Sequence, residues 1–264
     1  MEIAGGVNLM APHAATFSVG TSAAIRPVFA HYFLRKNFMK TDLSKSLLVV
    51  ALALAFSTAT ALRAAEAAEP LKLNLPAHTL KGTPEDLPVG PNVEPPPTKA
   101  PPTPPVPKGV VNVAAGKTVT SSVPPFLGEL TQLTDGKREA FDEDAVEFKK
   151  GTQWAQVDLG LSVAIHAVAM WHDHRYVQAM HDIVLQVSDD AEFKTGVTTL
   201  FNNDMDNSSN LGVGTDREYF ELHYGKVVAA KGVKARYVRG YSKGGSLSAL
   251  NCWQELEVYA LPVK

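Results

Sequence analysis

The 264-residue chain sets 25 Lys+Arg against 27 Asp+Glu for a formal net charge of -2, which excludes a basic nucleic-acid-binding footprint and a strongly acidic surface alike. Its one cysteine, Cys252, excludes an internal disulfide, so stability rests on an apolar core, with or without a bound ion. Hydrophobic residues make up an ordinary 45%, but part of them form one N-terminal run, so the length overstates the folded mass.

Residues 1–38 precede Met39, a natural start, and read as an N-terminal extension from a mis-assigned start. Residues 39–67 have the pattern of a signal peptide. Lys40 and Lys45 supply the positive end and 47–56 the apolar centre. Ala59-Thr60-Ala61 and Ala65-Glu66-Ala67 are the small-residue cleavage motifs. The apolar run falls short of the roughly 20 residues that span a bilayer. The expected location is therefore secreted, periplasmic or cell envelope, with no membrane contact beyond the export segment.

Residues 68–109 are dense in proline, including Pro95-Pro96-Pro97, Pro101-Pro102 and Pro104-Pro105. Proline fixes φ and lacks an N–H, so this stretch reads as a disordered, semi-stiff linker holding the folded part away from the N-terminus. The folded domain is expected over 110–264. Strand-like runs fall at 117–122, 155–159, 165–171, 182–188, 198–201, 219–222, 235–241 and 254–259. The clearest alternation places Ile183, Leu185 and Val187 on one face. About eight short antiparallel strands separated by turns make an all-β jelly-roll β-sandwich. Cys252, just ahead of the last strand, reads as a packed thiol rather than a nucleophile.

Six fragments in order resemble the discoidin family (coagulation factor 5/8 type C domains), within the galactose-binding-like jelly rolls. They are Asn112-Val113-Ala114 with Gly116-Lys117, Leu133-Thr134-Asp135-Gly136, Trp154 to Gly160, Gln186 to Asp190, Arg236-Tyr237-Val238-Arg239, and Glu255 to Tyr259. They cover nearly all of 110–261 and are mostly core and turn residues, so they specify fold rather than ligand. The resemblance implies a non-catalytic module whose end loops bind a glycan or cell-envelope polymer, or else a protein partner. It also implies a structural calcium held by Asp135 and Glu255, a hard cation on oxygen ligands stitching a loop to the last strand. The alternative is that Asp135 caps the turn before Gly136 and Glu255 is solvated.

The distinctive cluster is Trp171-His172-Asp173-His174-Arg175-Tyr176. On a strand His172 and His174 would share one side. Three readings are open in this order: surface or turn residues, glycan contact by Trp171, His172, His174 and Arg175, and a transition-metal site that would revive a metal-dependent hydrolase. The loop 202–216 is rich in Asn, Asp, Ser and Gly, but its spacing fails the EF-hand pattern: Ser209 stands where glycine is needed and Thr215 where glutamate is. Phe126 and Leu127 either project as an apolar patch for a protein partner or, the favoured expectation, pack against the sandwich. No nucleophile elbow, phosphate loop or dinucleotide fingerprint occurs in the sequence.

Overall fold

Twelve strands account for the architecture in this computed structural model, which describes residues 68–82 and 89–263. The N-terminal extension and the signal-peptide pattern lie outside the described residues. In chain order the strands are β1 (Ala68–Pro70), β2 (Pro105–Pro107), β3 (Val111–Asn112), β4 (Thr118–Ser121), β5 (Val146–Phe148) and β6 (Gln153–His172). They continue with β7 (Ala179–Met180), β8 (Val184–Ser188), β9 (Thr198–Asn202), β10 (Tyr219–Phe220), β11 (Lys226–Ser242) and β12 (Asn251–Ala260). All pairings between strands are antiparallel.

The frame is a long ribbon of β6 and β11, paired from Ser242↔Gln153 to Lys226↔Met170. Residues 159–162 loop out of the register opposite Arg236, and a second irregularity, with Lys231 (φ 52) and Gly232 (φ 82) on β11, lies opposite His166. The ribbon passes from one layer to the other across this stretch. Its Gln153–Asp158 half carries β4, and its Tyr237–Tyr241 half carries β8 and then β9. The other half carries β12 with β3 and β5. The two halves face each other as the layers of a jelly-roll sandwich. Trp253 shows the contact: a Cβ on Gly240 of the opposite layer would come within 2.5 Å of its ring. Its Nε1 donates to Ser242 Oγ at 2.9 Å.

Alternation decides which side chains meet in the middle. Ala155, Val157, Leu159, Val163 and Ile165 of β6 enter the core, and after the register shift near Ala260 the parity flips to Val168 and Met170. Ala167, Ala169 and Trp171 then face outward, yet they too are buried, with Tyr259, in a second apolar cluster.

That outer cluster corrects the linker expectation. The described part of the proline-rich stretch is an arm packed on the sheet. Leu71 and Val106 are buried against Trp171 and Tyr259, and β1 pairs with β2. Leu71 N donates to Pro104 O at 3.1 Å, and Thr103 Oγ1 to Leu71 O at 2.7 Å. Proline costs a donor but keeps its carbonyl, so a short edge pairing is open to it. An apolar outer face then supplies the energy to hold the arm down.

Candidate functional site

At one end of the sandwich, strand termini converge from both layers. β6 ends at His172, β11 at Ser242, β12 begins at Asn251, and β7 (Ala179–Met180) pairs with β10 nearby, Met180 lining the same pocket. Together with residues 244–252 they enclose a pocket of about 70 Å³ lined by His172, Asp173, Gln178, Met180, Ser248 and Asn251, among others. Its loops are fixed by internal hydrogen bonds. Asn251 accepts from Gly244 N at 2.8 Å and donates to Lys149 O and Gly151 O at 2.8 and 3.0 Å. Ser246 Oγ accepts from Ala179 N at 2.9 Å.

The lining groups are oriented before any ligand arrives. Asp173 is clamped by Arg175, whose Nε and Nη2 donate to its two carboxylate oxygens at 2.9 and 2.8 Å. The Gln178 amide donates to Asp173 O at 2.5 Å. His172 packs tilted by 52° against Trp253 at 4.3 Å between centroids, and its Nδ1 meets Glu221 Oε2 at 2.9 Å. The remaining atoms of that buried dyad, His172 Nε2 and Glu221 Oε1, have no protein partner.

Of the residues expected to touch a glycan, only His172 lines this pocket; Arg175 acts at one remove, by holding Asp173. Trp171 is an internal anchor: its Nε1 donates to His223 O at 3.1 Å, and Gly225 (φ +65) passes so close that a Cβ would stand 2.5 Å from the indole. The strand stops at His172, so the two imidazoles do not share a side. His174 turns under residues 136–139, its Nε2 2.8 Å from Arg138 O. Gln178, Glu221 and Asn251 were not singled out in the sequence, because only the folded ribbon brings them to His172.

A second polar cluster lies on the outward face of β12, where Glu255 and Glu257 are fully buried. Gly136 N donates to Glu255 Oε1 at 3.2 Å, joining the Asp135-Gly136 turn to the last strand. Glu255 Oε2 has no partner. Burial, then Glu257, then Asp135 push the Glu255 carboxyl up to about 9. Arg138 pairs with Glu257, donates to Gly136 O at 2.9 Å and lies over Trp171. Tyr259 OH donates to the other Glu257 oxygen at 2.5 Å. Asp135 does cap its turn, accepting from Lys137 N at 2.9 Å, but Glu255 is not solvated.

Elsewhere, Asp182, Asp204 and Asp206 bring oxygens within 4.8 Å of one another, a convergence that the 202–216 spacing alone did not show. Asp204 is already occupied by Ser208 N and Ser209 N at 2.9 and 2.7 Å. Phe126 and Leu127, expected to pack, are 58% and 42% exposed, because Phe126 N and Leu127 O bond Glu147 and turn the side chains out. Burial pushes the Cys252 thiol far above its ordinary range, consistent with a packed residue.

The fold defines an all-β jelly-roll sandwich with a polar pocket among its end loops. No protein-family model matches the chain, and no curated protein matches it. Among solved structures it is similar to chitosan-binding module 1 derived from a chitosanase/glucanase of Paenibacillus sp. IK-5 (21% identity, 57% of this chain and 99% of that one, TM-score 0.40). It is also similar to a Streptococcus pneumoniae fucose binding module (14%, 58% and 99%, 0.40) and to the lectin domain of lectinolysin complexed with Lewis B antigen (19%, 58% and 98%, 0.39).

Proposed function

We propose that this chain is a non-catalytic, discoidin-like binding module that takes carbohydrate in the pocket at its loop-bearing end. The observation that carries the reading is the pocket itself: donors and acceptors of His172, Asp173, Gln178, Ser248 and Asn251 converge beside the apolar Met180, Leu247 and Leu250. A sugar presents hydroxyls on its edge and C–H groups on its face, which is the complement of that lining. The pocket's size suits the edge of one ring, so a chain end is the expected epitope. Arg175 holds the Asp173 carboxylate in a fixed fork, an arrangement for recognition rather than proton transfer.

A calcium bound by Asp135 and Glu255 belongs to the same proposal. Glu255 and Glu257 stand against the guanidinium of Arg138, Asp135 is paired with the exposed Lys137 ammonium at 3.9 Å, and Glu255 Oε2 is buried without a partner. A hard cation there would pair that oxygen and tie the turn to β12. Export to the periplasm or beyond rests on the signal-peptide pattern; among the described residues no helix is long and apolar enough to cross a membrane.

A glycan array probed with the full chain tests the reading. Selective binding that falls at least tenfold in Asp173→Ala, with the melting temperature kept, is the expected result. Absence of any glycan hit, or a hit indifferent to Asp173→Ala, overturns it. The exposed Phe126 and Leu127 favour a second reading, capture of a protein partner at that patch. In that case Phe126→Ser abolishes capture and leaves the array profile intact.

A further inference from the structure

The arm reaches beyond Trp171 to the segment that lines the loop-end pocket. That segment, residues 173–180, contributes Asp173, Gln178 and Met180 to the pocket wall. Its far end is fixed by the body of the sandwich. Glu221 N donates to Gln178 O at 3.1 Å, Ser246 N donates to Ala179 O at 2.9 Å, and β7 pairs with β10. Its middle depends on the arm. Among the described residues, the backbone of 175–177 makes two hydrogen bonds beyond the segment, and both go to one arm residue. Lys81 N donates to Arg175 O at 2.6 Å, and Val177 N donates to Lys81 O at 3.3 Å. Between those bonds the Lys81 ammonium lies 5.7 Å from the centre of the Tyr176 ring.

The arm's hold passes to the pocket through Arg175, whose guanidinium forks the Asp173 carboxylate. Its other ion pair, with Asp142, has an exposed carboxylate and holds weakly. Without the two Lys81 bonds the middle of the segment is irregular backbone free to open, and an open conformer loses the fork. The arm is suited to prevent this. Its returning limb is rich in proline, which has little backbone freedom left to lose on ordering. That limb is itself pinned. Glu94 N donates to Glu218 O at 2.7 Å, Glu218 N donates to Asn92 O at 3.0 Å, and Lys226 pairs with Glu94 at 3.1 Å. Glu218 immediately precedes β10, so the arm meets the β7–β10 pair at a second point.

We infer that Lys81 is a positioning residue of the loop-end pocket: it holds 175–177 so that Arg175 keeps Asp173 in place for the ligand. The inference rests on the carbohydrate reading of that pocket and assigns the arm a share in its affinity.

The test compares the full chain with Lys81→Pro, which lacks the N–H that Arg175 O accepts, and with Lys81→Ala, which keeps it. Two NMR signals need no ligand: the Val177 amide and the Arg175 Nε–H that donates to Asp173. In Lys81→Pro both should exchange with water about tenfold faster, the mark of local opening. The melting temperature should hold, because Leu71 and Val106 still anchor the arm. Lys81→Ala should leave both signals as they are. Affinity for the glycan selected on the array should fall about fivefold in Lys81→Pro, as when about a fifth of the segment stays competent, and stay unchanged in Lys81→Ala. Unchanged exchange in Lys81→Pro overturns the inference, and so does faster exchange with undiminished affinity. If the parent chain binds no glycan, the carbohydrate reading fails, and exchange at Arg175 Nε–H alone decides whether Lys81 positions Asp173.

Discussion

Leu256 and Val258 of β12 point into the core, whereas Glu255, Glu257 and Tyr259 of the same strand point outward, and all five are buried. The inner face is held by apolar contact alone and is complete as it stands. The outer face is polar and incomplete: Glu255 Oε2 and Arg138 Nε lack partners, while Arg138, Tyr259 and Gly136 satisfy the remaining carboxylate oxygens. Equal burial thus hides unlike physics. One face carries no titratable group, and the other carries a buried carboxyl whose proton is held up to about 9; the calcium proposed for Asp135 and Glu255 would sit on that second face.

The largest effect should come from the inner face. Leu256→Ala removes a fully buried side chain and is expected to cost about 2–5 kcal/mol in urea unfolding. That loss should be the same at pH 5 and pH 9, and the same with calcium or with chelator. A condition-dependent loss would mean the two faces are not separable. On the outer face, Arg138→Met leaves Glu257 buried with only Tyr259 as partner, at an expected cost of about 3 kcal/mol. The double variant Arg138→Met/Glu257→Gln should recover part of it, because the stranded charge is gone. Additive losses in that double-mutant cycle would show that Arg138 acts through packing on Trp171 instead.

Much of the fold was legible in the sequence. Every strand-like run that reads as alternating or bracketed by turns lies on or overlaps a strand, and Ile183, Leu185 and Val187 do share the core face. The first half of β11 was missed because Lys231 and Gly232, both at positive φ, interrupt its pattern. Proline content concealed the arm, though a signal for it existed. Residues 165–171 are almost continuously apolar, the mark of a strand buried on both faces, so something had to cover the outer one. The site was harder to read. Sequence proximity drew attention to Trp171, His172, His174 and Arg175, but a strand end at His172 sends the two imidazoles to different sides. The pocket's other groups come from segments far apart in the chain, and no local pattern announces them.

The gentlest probe of the comparison, at any single step of pH, is the proton on Glu255. Its folded value of about 9 lies above the ordinary 4.5, so the folded chain holds this proton more tightly than the unfolded one. Below about pH 4.5 both states are protonated and the full stability is present. As pH rises from there toward 9, the unfolded chain releases its proton first, and stability is lost by at most about 1.4 kcal/mol per unit. Urea unfolding of the chelator-treated chain at pH 5, 7 and 9 should show that decline, and Glu255→Gln should flatten it. Calcium should flatten it as well, because a bound cation stabilises the carboxylate and its affinity rises as the competing proton leaves. A decline that calcium leaves untouched while Glu255→Gln removes it would keep the buried acid and reject the cation, making Glu255 a neutral hydrogen-bonding group under the Gly136 turn. A slope unchanged in Glu255→Gln would place the titrating group elsewhere and remove the contrast between the two faces of β12.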